Sequence, residues 1–348
     1  MKVVIDEKIP YLKNALQGMG MDVVALPGVE IGREDVADAD ALFVRTRTVC
    51  NEELLSGSKV RFIGTATIGY DHIDSAYCAS NGISWCNAAG CNAGAVLQYV
   101  QSVIYQWVLE RRRSLQGLVL GVVGVGEIGS RVVAWAESVG LTVLKNDPPK
   151  ALSGACGFVS LDDIAKKCDI VTFHPTLSRD GDFPSYHLAD SAFFNSLAHC
   201  SLLINASRGP VVDNAALLVH ATSNHSMDIA LDVWEGEPDI NLSLLNRCFV
   251  STPHIAGYSA EGKVNATRIV LNAFALFFGY TDALPELQLP SPIHPVVEAS
   301  SESEALLRIY SPLDDSRTLK ENPAGFEELR NNYNLRREPS AFSIIVTK

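Results

Sequence analysis

The chain has 348 residues, more than one hydrophobic core usually organises, so two or three domains are expected. Hydrophobic residues make up 47% and charged residues 20%, a balance that supports packed cores and excludes a disordered chain. With 40 acidic against 28 basic side chains the net charge is −12, which disfavours nucleic acid and anionic membranes and leaves small molecules and copies of the chain as partners.

Residues 1–90 alternate short β-rich runs with helix-like segments. "VVID" at 3–6, "VVAL" at 23–26, "ALFVR" at 41–45, "FIGTA" at 62–66 and "ISWCN" at 83–87 are the strand candidates. Pro10–Met19 and Glu52–Ser56 are amphipathic helix candidates between them. Such alternation predicts a parallel, doubly wound sheet. The chain opens directly on a strand bearing Asp6 and Glu7, which argues against a signal peptide.

A long helix is expected over Ala93–Arg113, with Val96, Val100, Val103, Ile104 and Trp107 at helical spacing. Arg111, Arg112 and Arg113 close it, where the helix dipole favours cations. A second α/β series follows at 118–124, 141–147, 169–174, 201–207, 229–234 and 248–254. These runs are almost continuously apolar, as strands buried on both faces should be. Ligands of open α/β sheets bind beyond the C-terminal strand ends, and there Asp147, His174, Ser207, Arg208, Asp232 and His254 cluster.

A helix around Ile269–Gly279 is expected to pack back on the first domain, and the apolar run 269–280 is too short to span a bilayer. Pro285, Pro290, Pro292 and Pro295 then mark a linker. Beyond it, helices at Glu302–Tyr310 and Phe326–Asn332 and a strand at 341–346 suggest a small α+β unit. It is too short to hold a core alone, and so is expected to fold against something else, such as another subunit. The eight cysteines form no C-x-x-C pair and have no companions at metal-ligand spacing. Reduced thiols, a cytoplasmic location and no bound metal are expected.

Gly124-Val125-Gly126-Glu127-Ile128-Gly129 fits G-x-G-x-x-G directly after an apolar strand and before the helix-like "SRVVAWAESV". The glycines allow a tight turn and close approach to a pyrophosphate, whose charge meets amides at the helix N-terminus. Asp147 ends the next strand, where an acid binds ribose hydroxyls and repels a 2′-phosphate, so NAD is expected rather than NADP.

Three further residues stand at or beyond strand ends: Arg208, Glu237 in the turn "WEGEP", and His254. A guanidinium offers a carboxylate two parallel donors. A glutamate beside a histidine favours the protonated ring and suits acid/base work near neutrality. Each residue alone would also fit a structural ion pair, a solvated turn charge or a satisfied strand-end histidine. Their coincidence with a dinucleotide loop favours chemistry.

"GVVGVGEIGSRV", "LLINASRGPVVDNAAL", "LDVWEGEP" and "TPHIAGYS" resemble, in order and separation, the signatures of the D-2-hydroxyacid dehydrogenases, over about residues 1–280. The resemblance implies that Arg208 holds the substrate carboxylate and C2 oxygen, that His254 takes the hydroxyl proton, and that Glu237 partners it. NAD would contact Gly124, Gly126, Glu127, Ile128, Gly129, Asp147, Pro175, Ala206, Ser207, Arg208, Asp232 and Gly257. It also implies a flavodoxin-like substrate domain (1–92 with 257–283), a Rossmann NAD domain (93–256) and a C-terminal unit (284–348). "VVIDEKIPY", "GTATIGYDHID", "HIAGYSAEGK" and the tail resemble the branch of the family that serves vitamin B6 synthesis. That branch implies oxidation of 4-phospho-D-erythronate, a tail used for homodimerisation, and a substrate pocket of Arg45, Thr46, Thr67 and Tyr258. The phosphate is a second anionic end that Arg45 or Arg47 would neutralise, unless they are ordinary surface charges, and Arg47 resembles the wider family more than this branch. Alternatives are another phosphorylated acid, chiefly 3-phosphoglycerate, or an NAD(H)-sensing binding protein. The chain departs from the family in reading His174-Pro175-Thr176-Leu177 for His-Thr-Pro-Leu, and in carrying Gln98 where an acid is common.

Overall fold

In the computed structural model, which describes residues 1–223, 226–280 and 284–347, each apolar run of the first 90 residues becomes a strand. These are β1 (Lys2–Asp6), β2 (Asp22–Leu26), β3 (Ala41–Val44), β4 (Phe62–Thr65) and β5 (Ser84–Asn87). They form one all-parallel sheet in the order β2-β1-β3-β4-β5, the flavodoxin-like winding. β3 and β4 are buried along their whole length, which is why they read as unbroken apolar runs.

The helix Ala260–Phe278 packs on this sheet, and Phe274 lies 5.5 Å from Phe43 and 5.9 Å from Phe62, ring to ring. Gly64 permits the approach: a Cβ there would stand 2.8 Å from Phe43 and 3.1 Å from Val270. The helix starts nine residues before the expected Ile269. Ser259 caps it by accepting the Gly262 amide at 2.9 Å, and its first turns are polar, so the apolar run showed only its second half.

A second parallel sheet holds β6 (Val119–Val123), β7 (Thr142–Asn146), β8 (Ile170–Phe173), β9 (Leu202–Asn205), β10 (Asp228–Leu231) and β11 (Val250–Ser251), in the order β11-β10-β9-β8-β6-β7. An isolated parallel bridge between Lys145 and Phe158 continues the sheet beyond β7. The chain therefore winds outward from β6 through β7 to Phe158, then returns to β8 on the other side. That reversal beside β6 is the switch point of a dinucleotide-binding sheet.

The helix Ala93–Glu110 covers one face of this sheet through Val100, Val103, Ile104 and Trp107. It stops before the arginine triplet. Arg112 adopts a positive φ of 50°, and Arg111 forks onto Asp228 through two 2.7 Å hydrogen bonds. An ion pair with β10 therefore occupies Arg111.

The chain divides into two compact units, Met1–Asn92 with Ser259–Ser291 and Ala93–Tyr258 with Pro292–Lys348. The expected boundary at 283/284 adjoins residues 281–283, which lie outside those described. The segment from 292 joins the nucleotide-binding body. It contains a two-stranded parallel sheet of β12 (Val296–Ala299) and β13 (Ser343–Val346), with helices Glu302–Ile309, Pro312–Glu321 and Phe326–Asn331. Leu306 and Tyr310 enter the core around Trp107, and Leu319 and Phe326 enter the core around Phe173. So short a segment gains its burial on a larger neighbour. Its middle helix was hidden in the sequence because Pro312 reads as a breaker, whereas it occupies the first turn, where no amide is needed. No disulfide joins the eight cysteines. No described helix is long and apolar enough to cross a membrane.

Candidate active site

The glycine loop opens the helix Glu127–Ser138 at the C-terminal end of β6. Gly124 has φ +83°, and a Cβ there would lie 2.4 Å from the Pro175 nitrogen. The His-Pro order at 174–175 thus packs a proline ring on a position only glycine can hold. Gly129 lets the helix close on the loop, since a Cβ would meet the Gly124 carbonyl at 2.0 Å. Gly126, by contrast, has no atom within 4 Å of a built Cβ, an open cradle at the helix start. Glu127 is exposed in the first turn, and Ile128 packs into the adjoining core.

Asp147 accepts the Val125 amide at 2.8 Å and the Lys150 amide at 3.1 Å. It lies with Gly124, Gly126, His174, Pro175 and Leu188 around a cavity of about 440 Å³. His174 Nε2 lies 2.9 Å from Thr172 Oγ1, while its Nδ1 is buried without a partner. Burial pushes this imidazole down to about 3, so it is neutral at physiological pH. An open glycine cradle, an acid at the next strand end and an unpaired ring nitrogen fit the adenosine half of NAD.

The loops after β9, β10 and β11 bring Arg208, Glu237 and His254 into one unit. Asn205, fully buried, accepts the Ser207 amide and hydroxyl at 3.2 and 2.9 Å and donates to the Arg208 carbonyl at 3.0 Å. This small network turns the chain at Ala206-Ser207 and leaves the Arg208 side chain exposed, with Nη1 donating to the Ser207 carbonyl at 2.8 Å. Gly209 lets the turn touch the next loop, since a Cβ would stand 1.9 Å from the Trp234 carbonyl.

Glu237 Oε1 accepts the Trp234 amide at 2.8 Å, and Glu237 Oε2 accepts His254 Nδ1 at 2.8 Å. Among the described residues the ring's Nε2 has no hydrogen-bond partner. His254 has φ +58°, a left-handed conformation that a non-glycine residue keeps only when its surroundings impose it. Its amide donates to the Asp232 carbonyl at 2.8 Å. The Asp232 carboxylate, 1% exposed, accepts Thr252 Oγ1 at 2.7 Å and the Ile255 and Ala256 amides at 2.7 and 3.0 Å. Burial pushes this carboxyl up, against the donors around it. In the structure Asp232 anchors the loop carrying His254 and half-buried Gly257.

The same loop is clamped from its carbonyl side by a residue that sequence reasoning missed. Arg336, 8% exposed, donates to the carbonyls of Ile255, Ala256 and Ala95 and to Gln98 Oε1. Gln98 in turn donates to the Arg337 carbonyl at 3.1 Å, so the unusual glutamine receives the tail. Arg330, also on the tail, was missed for the same reason: no spacing ties it to the motifs. Among the described residues, His187, Asp213 and Glu235 form a cluster of metal-ligating types. Its His187–Glu235 contact of 2.7 Å and the Asn214 amide on Glu235 at 2.8 Å already serve as structural bonds.

In the first unit, Arg45 and Thr46 follow β3, and Thr67 follows β4. Arg45 is half-buried and Thr46 exposed, while the Thr67 hydroxyl lies 2.7 Å from Thr65 Oγ1 and donates to the Gly69 carbonyl at 2.9 Å. Tyr258 belongs to the second unit.

A dinucleotide-binding sheet with an arginine and a glutamate–histidine pair at its C-terminal strand ends defines an oxidoreductase of the nicotinamide-dependent class. The NAD binding domain of the D-isomer specific 2-hydroxyacid dehydrogenases matches residues 96–256. An erythronate-4-phosphate dehydrogenase of Bacteroides thetaiotaomicron is 48% identical over the whole of both chains. One from Enterobacter sp. is 41% identical over 99% of this chain and 94% of its own. The chain belongs to the D-2-hydroxyacid dehydrogenase family, in the branch of the erythronate-4-phosphate dehydrogenases. NAD-bound 3-phosphoglycerate dehydrogenase of Entamoeba histolytica shares the fold, with a TM-score of 0.65 and 23% identity over 81% of this chain and 96% of its own. So does the D-lactate dehydrogenase of Aquifex aeolicus, at 0.58 and 24% over 80% and 96%.

Proposed function

We propose that the chain oxidises 4-phospho-D-erythronate at C2 to the 2-oxo acid, with NAD+ as acceptor, as a step of vitamin B6 synthesis in the cytoplasm. The observation that carries this reading is identity approaching one half, over both full lengths, with chains that bear the enzyme's name.

Arg208 presents an exposed planar fork to the substrate carboxylate and to the C2 oxygen. His254 Nε2 takes the C2 hydroxyl proton, and Glu237, already on Nδ1, stabilises the imidazolium that forms. Bound NAD+ supplies the acceptor for the hydride that leaves C2. The C–H electron pair departs as hydride while the O–H pair closes the carbonyl, so proton and hydride account for the two hydrogens lost. Gly124, Gly126, Glu127, Ile128 and Gly129 would hold the pyrophosphate. Asp147, Pro175, Ala206, Ser207, Asp232 and Gly257 would line the rest of the nucleotide, and Arg45, Thr46, Thr67 and Tyr258 the substrate. The chain acts as a homodimer through its C-terminal segment; light scattering on the full chain should give twice 37.6 kDa.

The test is a panel of phosphorylated and plain D-2-hydroxy acids followed at the nicotinamide absorbance. The highest kcat/KM should fall on 4-phospho-D-erythronate. A higher value on 3-phosphoglycerate, or no turnover of either, overturns the assignment.

A further inference from the structure

We propose that Arg330, on the C-terminal segment, binds the phosphate of the substrate, so that the tail forms part of the specificity pocket. This rests on the reading of the substrate as a phosphorylated hydroxy acid. Arg330 lies in the helix Phe326–Asn331, whose Phe326 is 1% exposed in the core around Phe173, so its backbone is fixed to the nucleotide-binding body. From there the side chain reaches the proposed acid/base pair. Its Nε donates to the Tyr258 hydroxyl at 3.3 Å, and Nη1 stands 4.0 Å from Glu237 Oε2, the oxygen that accepts His254 Nδ1.

Two features separate this arrangement from a structural ion pair. Glu237 already has a close partner on each oxygen, His254 and the Trp234 amide, and needs no third. Arg330 stops at 4.0 Å, keeps 34% of its side chain exposed, and among the described residues has no hydrogen bond to either terminal nitrogen. A cation whose two terminal nitrogens carry no hydrogen bond among the described residues, beside a tyrosine and the proposed proton acceptor, suits a planar or tetrahedral oxyanion. A phosphorylated hydroxy acid has two anionic ends. Arg208 accounts for one, and within this unit Arg330 is placed to meet the other. It lies beyond residue 256, where the match to the family's NAD binding domain ends.

Arg330→Met and Arg330→Lys are compared with the unaltered full-length protein on 4-phospho-D-erythronate, D-erythronate, 3-phosphoglycerate and D-glycerate. The preference for a phosphorylated acid over its plain counterpart should drop about 10- to 100-fold in Arg330→Met, the range for one lost charge-assisted contact. The loss should sit mainly in KM, and lysine, which keeps the charge without the fork, should restore part of it. The plain acids monitor folding, because a misfolded variant loses both members of each pair. Equal losses on both members, or an unchanged preference, would overturn the inference. If the unaltered protein favours 3-phosphoglycerate and Arg330→Met erases that preference over glycerate, the erythronate assignment fails and this inference stands. An unaltered protein with no preference for either phosphorylated acid sinks both.

Discussion

His254 donates from Nδ1 to Glu237 Oε2 at 2.8 Å, while the other carboxylate oxygen of Glu237 is fixed by the Trp234 amide at the same distance. The imidazole is thereby set in one tautomer, with Nε2 as its acceptor. Its loop is held twice over, by Asp232 on the amides and by Arg336 on the carbonyls of Ile255 and Ala256. Rigid support of this kind is what a proton acceptor needs, because misplacement by a fraction of an ångström costs rate.

Replacing His254 by Asn removes the acceptor and should lower kcat by about 10²- to 10⁴-fold with a small change in KM. Glu237→Gln keeps the shape but loses the charge that stabilises the imidazolium, and should fall between that variant and the unaltered protein. Arg208→Lys should raise KM for the hydroxy acid through loss of the fork. Steady-state kinetics on the three variants tests the assignment, which fails if His254→Asn retains full kcat.

We propose that Asp147 sets the cofactor preference through its charge. In Asp147→Asn the side chain can still accept an amide, but the repulsion of a 2′-phosphate is gone. The ratio of kcat/KM with NADP+ to that with NAD+ should rise about tenfold or more. A ratio unmoved by the substitution would assign nucleotide choice to another residue.

Arg336 is buried, with its donors on three carbonyls and a glutamine. Arg336→Met leaves these acceptors unpaired and should cost about 2–4 kcal/mol of stability. Denaturant unfolding measures the loss directly. An unchanged midpoint would mean that the tail does not clamp the His254 loop.

His174 introduces an acid-sensitive element separate from the Glu237–His254 pair. Its folded-state value is lowered from 6.5 to about 3 by burial, so the folded state disfavours the charged ring. This contribution to stability is fully present above about pH 6.5 and is lost as pH falls towards 3. In His174→Gln the decline over that window should be shallower than in the unaltered protein, as thermal melts across pH would record. Parallel curves would exclude the histidine as a cause.

Both parallel sheets were legible in the sequence, because their inner strands, such as β3, β4, β8 and β9, are buried throughout and so are almost continuously apolar. The glycine loop was legible for a comparable reason: only glycine tolerates the φ at Gly124 and the contacts at Gly129. Arg208, Glu237 and His254 were marked by their places at strand ends. Their mutual geometry was not, since it depends on Asn205 turning one loop and Asp232 holding another.

The length of the helix Ala260–Phe278, the helix begun by Pro312 and the tail's attachment to the nucleotide-binding body needed the tertiary structure. So did Arg330 and Arg336, which lie some 70 to 90 residues from the loops they contact. Periodicity and spacing record what a residue does with its near neighbours along the chain. A lone arginine meeting a distant carbonyl or carboxylate leaves no such record. The sequence by itself therefore determined the class of chemistry through residues constrained locally, while the packing of the tail decided what surrounds that chemistry.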